Sequence, residues 1–217
     1  MNLTTFYPPY FVKRVAVMRF EAANPTAPWL TADAITALAD LLKPDDVGYE
    51  FGSGRSTVWF ANKVRYLHSM EHAPEWYERV RVKLGDAKLL DKIDYRLAAN
   101  SGHLAENDLL EESHPYVAHL AGMPEASLDF ILVDGMARFT CFRLAIPRLK
   151  PGGVLILDNS NRFTPNHYPE GYTTIQYHRT EPRDQDWSQA LSGISHWRGF
   201  NTTNSIWDTR FWIKPLS

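Results

Sequence analysis

The sequence predicts an α/β fold: a doubly wound, mostly parallel sheet of seven strands with an antiparallel last strand and helices on both faces. Three observations lead there. Between residues 47 and 157, apolar runs of strand length alternate with stretches of helical period. The run Ser127 to Asp134 (S-L-D-F-I-L-V-D) is apolar enough to be buried on both faces, as parallel sheets require. Near the end, two aromatic runs separated by a polar turn read as a hairpin, which puts an antiparallel strand in the sheet.

The elements follow in order. Residues 1–30 read as an irregular lead-in broken by Asn24-Pro25 and Ala27-Pro28, with Trp29 as its anchor. Thr31 is an N-cap residue with Asp33 in the first turn, and Ile35, Leu38 and Leu42 recur at helical spacing until Lys43-Pro44. Val47 to Phe51 is a strand, followed by a glycine turn and a helix from Ser56 to Val64. Tyr66 to Glu71 is a second strand. Pro74 suits the first position of the next helix, whose face is Trp76, Val80 and Leu84. Ile93 to Ala98 is a third strand and Ser127 to Asp134 a fourth. Phe142, Ala145, Ile146 and Leu149 form the face of the following helix. Pro151-Gly152-Gly153 reads as a turn before a fifth strand, Val154 to Leu157. Residues 159–190 are polar and show no clear period. Trp197 to Phe200 and Ile206 to Ile213 read as strands joined by Asn201-Thr202-Thr203-Asn204.

A chain of 217 residues suits one domain: an N-terminal extension and helix over 1–44, a ligand-binding core over 45–160, and a substrate-side segment with the hairpin over 161–217. At 44% hydrophobic and 22% charged it can close a sizeable core, which excludes disorder as its dominant state. The formal net charge of −2 gives no electrostatic footprint for nucleic acid. A single cysteine, Cys141, excludes an intrachain disulfide and fits a reducing compartment. No apolar run has membrane-spanning length and the N-terminus has no export-signal pattern, so the expectation is a soluble cytoplasmic protein.

The segment Tyr49-Glu50-Phe51-Gly52-Ser53-Gly54-Arg55-Ser56 is the most informative. A strand ends, two glycines follow one residue apart, and a helix starts. Gly52 permits a tight turn, Gly54 permits close ligand approach, and the helix N-terminus offers free N–H groups. Glu71 ends the next strand, where an acid can accept both ribose hydroxyls of an adenosine-type ligand. Dinucleotide sites use a third glycine where this chain has Thr57, and Glu50 is awkward beside a pyrophosphate. An acid there suits a ligand with ammonium and sulfonium groups, S-adenosylmethionine.

These residues resemble the first motif of class I S-adenosylmethionine-dependent methyltransferases, a Rossmann-like superfamily. Ser69-Met70-Glu71-His72 is similar to the end of its second strand, Leu132-Val133-Asp134-Gly135 to its fourth-strand motif, and Leu149-Lys150-Pro151-Gly152-Gly153-Val154 to the turn before its fifth strand. Trp207 to Pro215 resembles its antiparallel last strand. The resemblance implies that Glu50, Gly52, Ser53 and Gly54 surround the methionine moiety. It places Glu71 on the ribose and His72 near the adenine, with Asn100 and Ser101 beside the adenine amine. Asp134 would also line this pocket.

On the acceptor side, a hydroxyl must lose a proton during methyl transfer. Asp134, Asp158 and Asn159 close neighbouring strands and resemble the ligand set of metal-dependent O-methyltransferases. Two readings stand: they hold Mg²⁺, or Asp134 serves the cofactor pocket while the other two cap a turn. None of the eight histidines (His68, His72, His103, His114, His119, His167, His178 and His196) forms a ligand spacing on a predicted helix, and His167 is the first candidate for a base. Arg138 would either bind an acidic acceptor or lie on the surface of the next helix. The late tryptophans suit hairpin packing, stacking of a sugar or planar acceptor, or the interface of a homo-oligomer. The expected activity is O-methylation of a small-molecule or sugar acceptor. The alternatives are a non-catalytic binding protein of the same fold and an NAD-dependent oxidoreductase.

Overall fold

The structure is a computed structural model that describes residues 8–98, 104–166 and 179–217. The seven strands are β1 (Val47–Phe51), β2 (Tyr66–Glu71), β3 (Ile93–Leu97), β4 (Leu128–Val133), β5 (Leu149–Asp158), β6 (Arg198–Thr203) and β7 (Asp208–Ile213). They form one sheet in the order β3-β2-β1-β4-β5-β7-β6. The first five are parallel, and β7 runs antiparallel to both β5 and β6.

Side chains alternate across the sheet with period two. Phe130, Leu132, Val154 and Ile156 enter a core beneath α2 (Ala32–Leu41), α3 (Arg55–Lys63) and α4 (Pro74–Asp86). Ile131, Val133, Leu155 and Leu157 enter the opposite core, beneath α5 (Pro115–Ala121), α6 (Arg138–Arg148) and α7 (Gln185–Gly193). Both faces of the central strands are therefore apolar, and the predicted doubly wound sheet is what the chain forms.

Local signals explain several boundaries. Thr31 caps α2 by accepting from the Ala34 N–H at 3.2 Å. Pro74 opens α4, where a missing N–H costs nothing. Asp184 caps α7 by accepting from the Trp187 N–H at 3.0 Å, and Trp187 then fills the core against Phe142 and Phe163.

Five elements differ from the sequence reading. The lead-in contains a helix, α1 (Pro8–Ala23), and among its residues past Pro9 only Val17 is fully buried, so no apolar stripe announced it. The polar stretch after residue 159 contains α7, and the long connection after β3 contains α5. Strand β5 starts at Leu149 rather than Val154, because a register shift against β4 absorbs the Pro-Gly-Gly segment within the strand. The hairpin turn falls at 204–207: Asn204 Oδ1 accepts from the Ile206 and Trp207 N–H groups, so its side chain makes the turn. Among the described residues, no helix is long and apolar enough to cross a membrane.

Candidate active site

Strand order reverses between β1 and β4, and open α/β sheets place ligands outside such a point. The two strands end level with each other: Phe51 pairs with Val133, and the Asp134 N–H donates to the Phe51 carbonyl at 3.0 Å. Gly52 follows with φ of +86°, and a Cβ there would lie 2.8 Å from the Gly135 Cα. Only glycine fits that crossing of two loops. Gly54 is buried, yet a Cβ built on it meets nothing within 4 Å. An enclosed space thus adjoins the backbone where α3 begins.

Two glutamates frame this turn. Glu50 is fully enclosed and accepts from Ser69 Oγ at 2.7 Å and Ser56 Oγ at 3.0 Å. Its contacts tie β1 to β2 and α3, which braces the turn from behind. Burial pushes its carboxyl up to about 7, against the pull of the Thr57, Ser69 and Ser56 hydroxyls. Glu71 accepts from Ser53 N and Oγ at 3.0 and 2.7 Å, and from the His72 and Ala73 N–H groups at 2.8 and 2.9 Å. Burial works against its charge, but these donors and the His72 ring, 3.0 Å away, outweigh it and hold the carboxyl below its ordinary value. Ser53 Oγ also meets the Tyr95 hydroxyl at 2.7 Å, and the Trp76 indole donates to the Ser53 carbonyl at 2.5 Å. Asn100, Ser101 and His167 lie outside the described residues.

Across the crevice, Asp134 follows β4 and Asp158 ends the neighbouring strand β5. Arg138, at the start of α6 and 3% exposed, fills the space between them. Its Nη2 donates to the Asp134 carbonyl at 3.1 Å, Asp134 Oδ1 at 3.2 Å and Asn159 Oδ1 at 3.3 Å. Its Nε donates to the Gly135 carbonyl at 3.0 Å, and its Nη1 donates to the Asp158 carbonyl. Asp158 accepts from Thr209 Oγ1 at 2.6 Å and Asn159 Nδ2 at 2.8 Å.

Burial and the facing Asp158 carboxylate push Asp134 well above the ordinary carboxylate range, with Arg138 pulling back. Burial also raises Asp158, against Thr209 and Arg138. The two acids oppose each other's ionisation, beside a fixed cation. The Asp134 side chain keeps 28% of its surface open and is the accessible member.

The oxygens assigned to Mg²⁺ therefore surround a guanidinium. Mg²⁺ demands near-octahedral room for waters and substrate, and Arg138 takes that room. Of the two readings, the Mg²⁺ one does not fit. Arg138 itself is neither a surface residue nor a free anion binder: it knits the ends of β4 and β5 together. Sequence reasoning missed Thr209 and Tyr95, which reach the site through strand pairing alone.

A model of a methyltransferase domain matches residues 49–160, just over half of the chain. No curated protein matches it. An O-methyltransferase from Bacillus cereus, solved in complex with SAH, has the same fold, with a TM-score of 0.57 and 18% identity; the match covers 94% of this chain and 91% of that one. A methyltransferase from Geobacter sulfurreducens has a TM-score of 0.56 and 13% identity, covering 94% and 89%. These likenesses bear on the fold. The family match spans the glycine turn, Glu71, Asp134 and Asp158, and on that ground the chain belongs to the methyltransferase-domain family.

Proposed function

We propose that this protein transfers a methyl group from S-adenosylmethionine to an oxygen of a small-molecule or sugar acceptor. The Asp134–Asp158 pair carries the reading. A hydroxyl acceptor must give up a proton as it attacks, and a carboxylate raised above its ordinary pKa is the stronger base. Asp134 is partly open and receives the proton. Asp158, held by Thr209 and Asn159, keeps the pair in place, and Arg138 balances its charge without a metal.

The cofactor fits the residues on the other side. The space beside Gly54 would admit it against the backbone, and the ionised Glu71 would accept its ribose hydroxyls. When bound, it supplies an electrophilic methyl on a cationic sulfur. The chain's part is to hold donor and acceptor in line and to take the proton. A small or sugar acceptor is supported by the near-neutral charge, which gives no electrostatic footprint for nucleic acid.

The test is transfer of a labelled methyl from S-adenosylmethionine across panels of hydroxyl, carboxyl, amine and thiol acceptors, with NAD as a binding control. Label on hydroxyl acceptors, lost in Asp134→Asn, is expected. Label only on amines sinks the oxygen assignment, and failure to bind S-adenosylhomocysteine sinks the cofactor.

A further inference from the structure

On the sheet face that α5 covers, three side chains from three elements converge. His68 stands in the middle of β2, Asp94 lies directly across from it on β3, and His119 reaches them from α5. His68 Nδ1 is 3.2 Å and His119 Nε2 3.6 Å from the same oxygen, Asp94 Oδ2. All three atoms lie within 4.8 Å of one another. The imidazole centroids are 5.3 Å apart, and His119 Nδ1 is buried with no hydrogen-bond partner.

We infer that His68, Asp94 and His119 bind a first-row divalent cation, with Zn²⁺ the best match. Bonds of about 2.0–2.1 Å to tetrahedral Zn²⁺ put its ligand atoms about 3.3–3.4 Å apart. Two of the distances here already bracket that spacing, so small side-chain shifts complete the site. Two imidazoles and one carboxylate are a donor set for Zn²⁺ and its neighbours, whereas Mg²⁺ takes oxygen ligands. The fourth position falls to water.

One group opposes the ion. Arg96 Nε donates to the same Asp94 oxygen at 2.8 Å. Its side chain is 49% exposed, so it can swing into water when a cation takes the oxygen. The cost of that exchange sets the affinity.

The ion would not touch the reacting groups. His68 precedes Glu71 by three residues, about 10 Å along a strand, and faces the opposite side of the sheet. Its effect is mechanical: it ties the edge strand β3 to β2 and α5. Helix α5 carries Tyr116, whose hydroxyl accepts from the Met136 N–H at 3.2 Å in the loop after β4. The site is a staple under the acceptor loop.

Untagged protein, stripped with a chelator, is titrated with Zn²⁺ by calorimetry and with Co²⁺ by visible absorption, with Mg²⁺ as control. One ion per chain is expected, with the intense spectrum of tetrahedral Co²⁺ and a higher Tm. His119→Ala and His68→Ala each weaken binding roughly tenfold or more. Arg96→Ala tightens it severalfold, an effect that histidines merely hydrogen-bonded to Asp94 would not produce. Should His68→Ala fail to fold, His119→Gln and Arg96→Ala carry the test. Absence of stoichiometric binding, or equal affinity in every variant, overturns the site.

Discussion

Two carboxylate groups face each other across the crevice and are built to opposite ends. Glu71, after β2, collects hydrogen-bond donors from Ser53, His72 and Ala73 and stays ionised below its ordinary pKa. Asp134 and Asp158, at the ends of β4 and β5, face each other and are pushed up, with Arg138 as the local cation. Burial is the first cause in both places. What differs is what offsets that burial: the His72 ring, backbone N–H groups and the Ser53 hydroxyl for Glu71, one guanidinium shared between two acids for the pair. A permanently ionised acid can hold neutral hydroxyls but is a weak base. A raised pair can accept a proton but binds less firmly. On the function proposed above, holding and proton transfer fall to different acids.

The sharpest way to break this division is Asp134→Asn. Turnover with a hydroxyl acceptor falls about 10³-fold, the usual scale for a lost general base, while S-adenosylhomocysteine affinity stays within about threefold. Steady-state kinetics and calorimetry on the same sample read both. Glu71→Gln is the converse. Its amide would point donors at donors, so S-adenosylhomocysteine affinity drops about 100-fold, or roughly 2.7 kcal/mol. Turnover at saturating cofactor changes far less. If Glu71→Gln abolished turnover with affinity intact, the roles assigned to the two sides would be reversed.

The cofactor side was the more legible of the two. Val47–Phe51, the Gly52 turn, Tyr66–Glu71 and Leu128–Val133 are contiguous patterns with local causes, and they stand where the sequence puts them. The pairing that builds the acceptor side is not local. Arg138 was visible as a residue four places after Asp134, but its burial depends on Asp158 and Phe163 arriving from β5 and beyond. Thr209 meets Asp158 only through the antiparallel register of β7 on β5, which no spacing encodes. The same holds for His68, Asp94 and His119, which share no helix and gather only across strands. Helices α1, α5 and α7 escaped for different reasons. The first buries little, the second has seven residues, and the third is anchored by a single tryptophan, so none shows a full apolar stripe.

Glu50 sharpens the comparison, because it is a buried acid on the cofactor side that behaves like the acceptor pair. Its carboxyl sits near 7 in the folded chain against an ordinary 4.5. The native state therefore holds this proton more tightly than the unfolded chain does, and stability falls as pH rises from about 4.5 through about 7. Glu50→Gln removes that slope. Above neutral pH it stabilises the protein by roughly 1 kcal/mol net, since one serine hydroxyl must turn to accept from the new amide. Denaturant melts at a series of pH values show it. A variant less stable than the parent above pH 7 would mean that the ionised form, rather than the protonated one, braces the turn.

The smallest expected effect isolates the pair's own tuning. Thr209 Oγ1 donates to Asp158 Oδ1 at 2.6 Å and lowers the Asp158 pKa. Thr209→Val keeps the shape and removes the donor, so Asp158 holds its proton to higher pH. A neutral Asp158 no longer pushes Asp134 up, so Asp134 is ionised at lower pH and the acid limb of the turnover profile moves down slightly. Cofactor affinity stays unchanged, because Glu71 shares no hydrogen-bond partner with Thr209. A shift upward would show that Asp158, and not Asp134, is the carboxylate that takes the proton. The direction of this small shift therefore separates two mechanisms that share every contact described above.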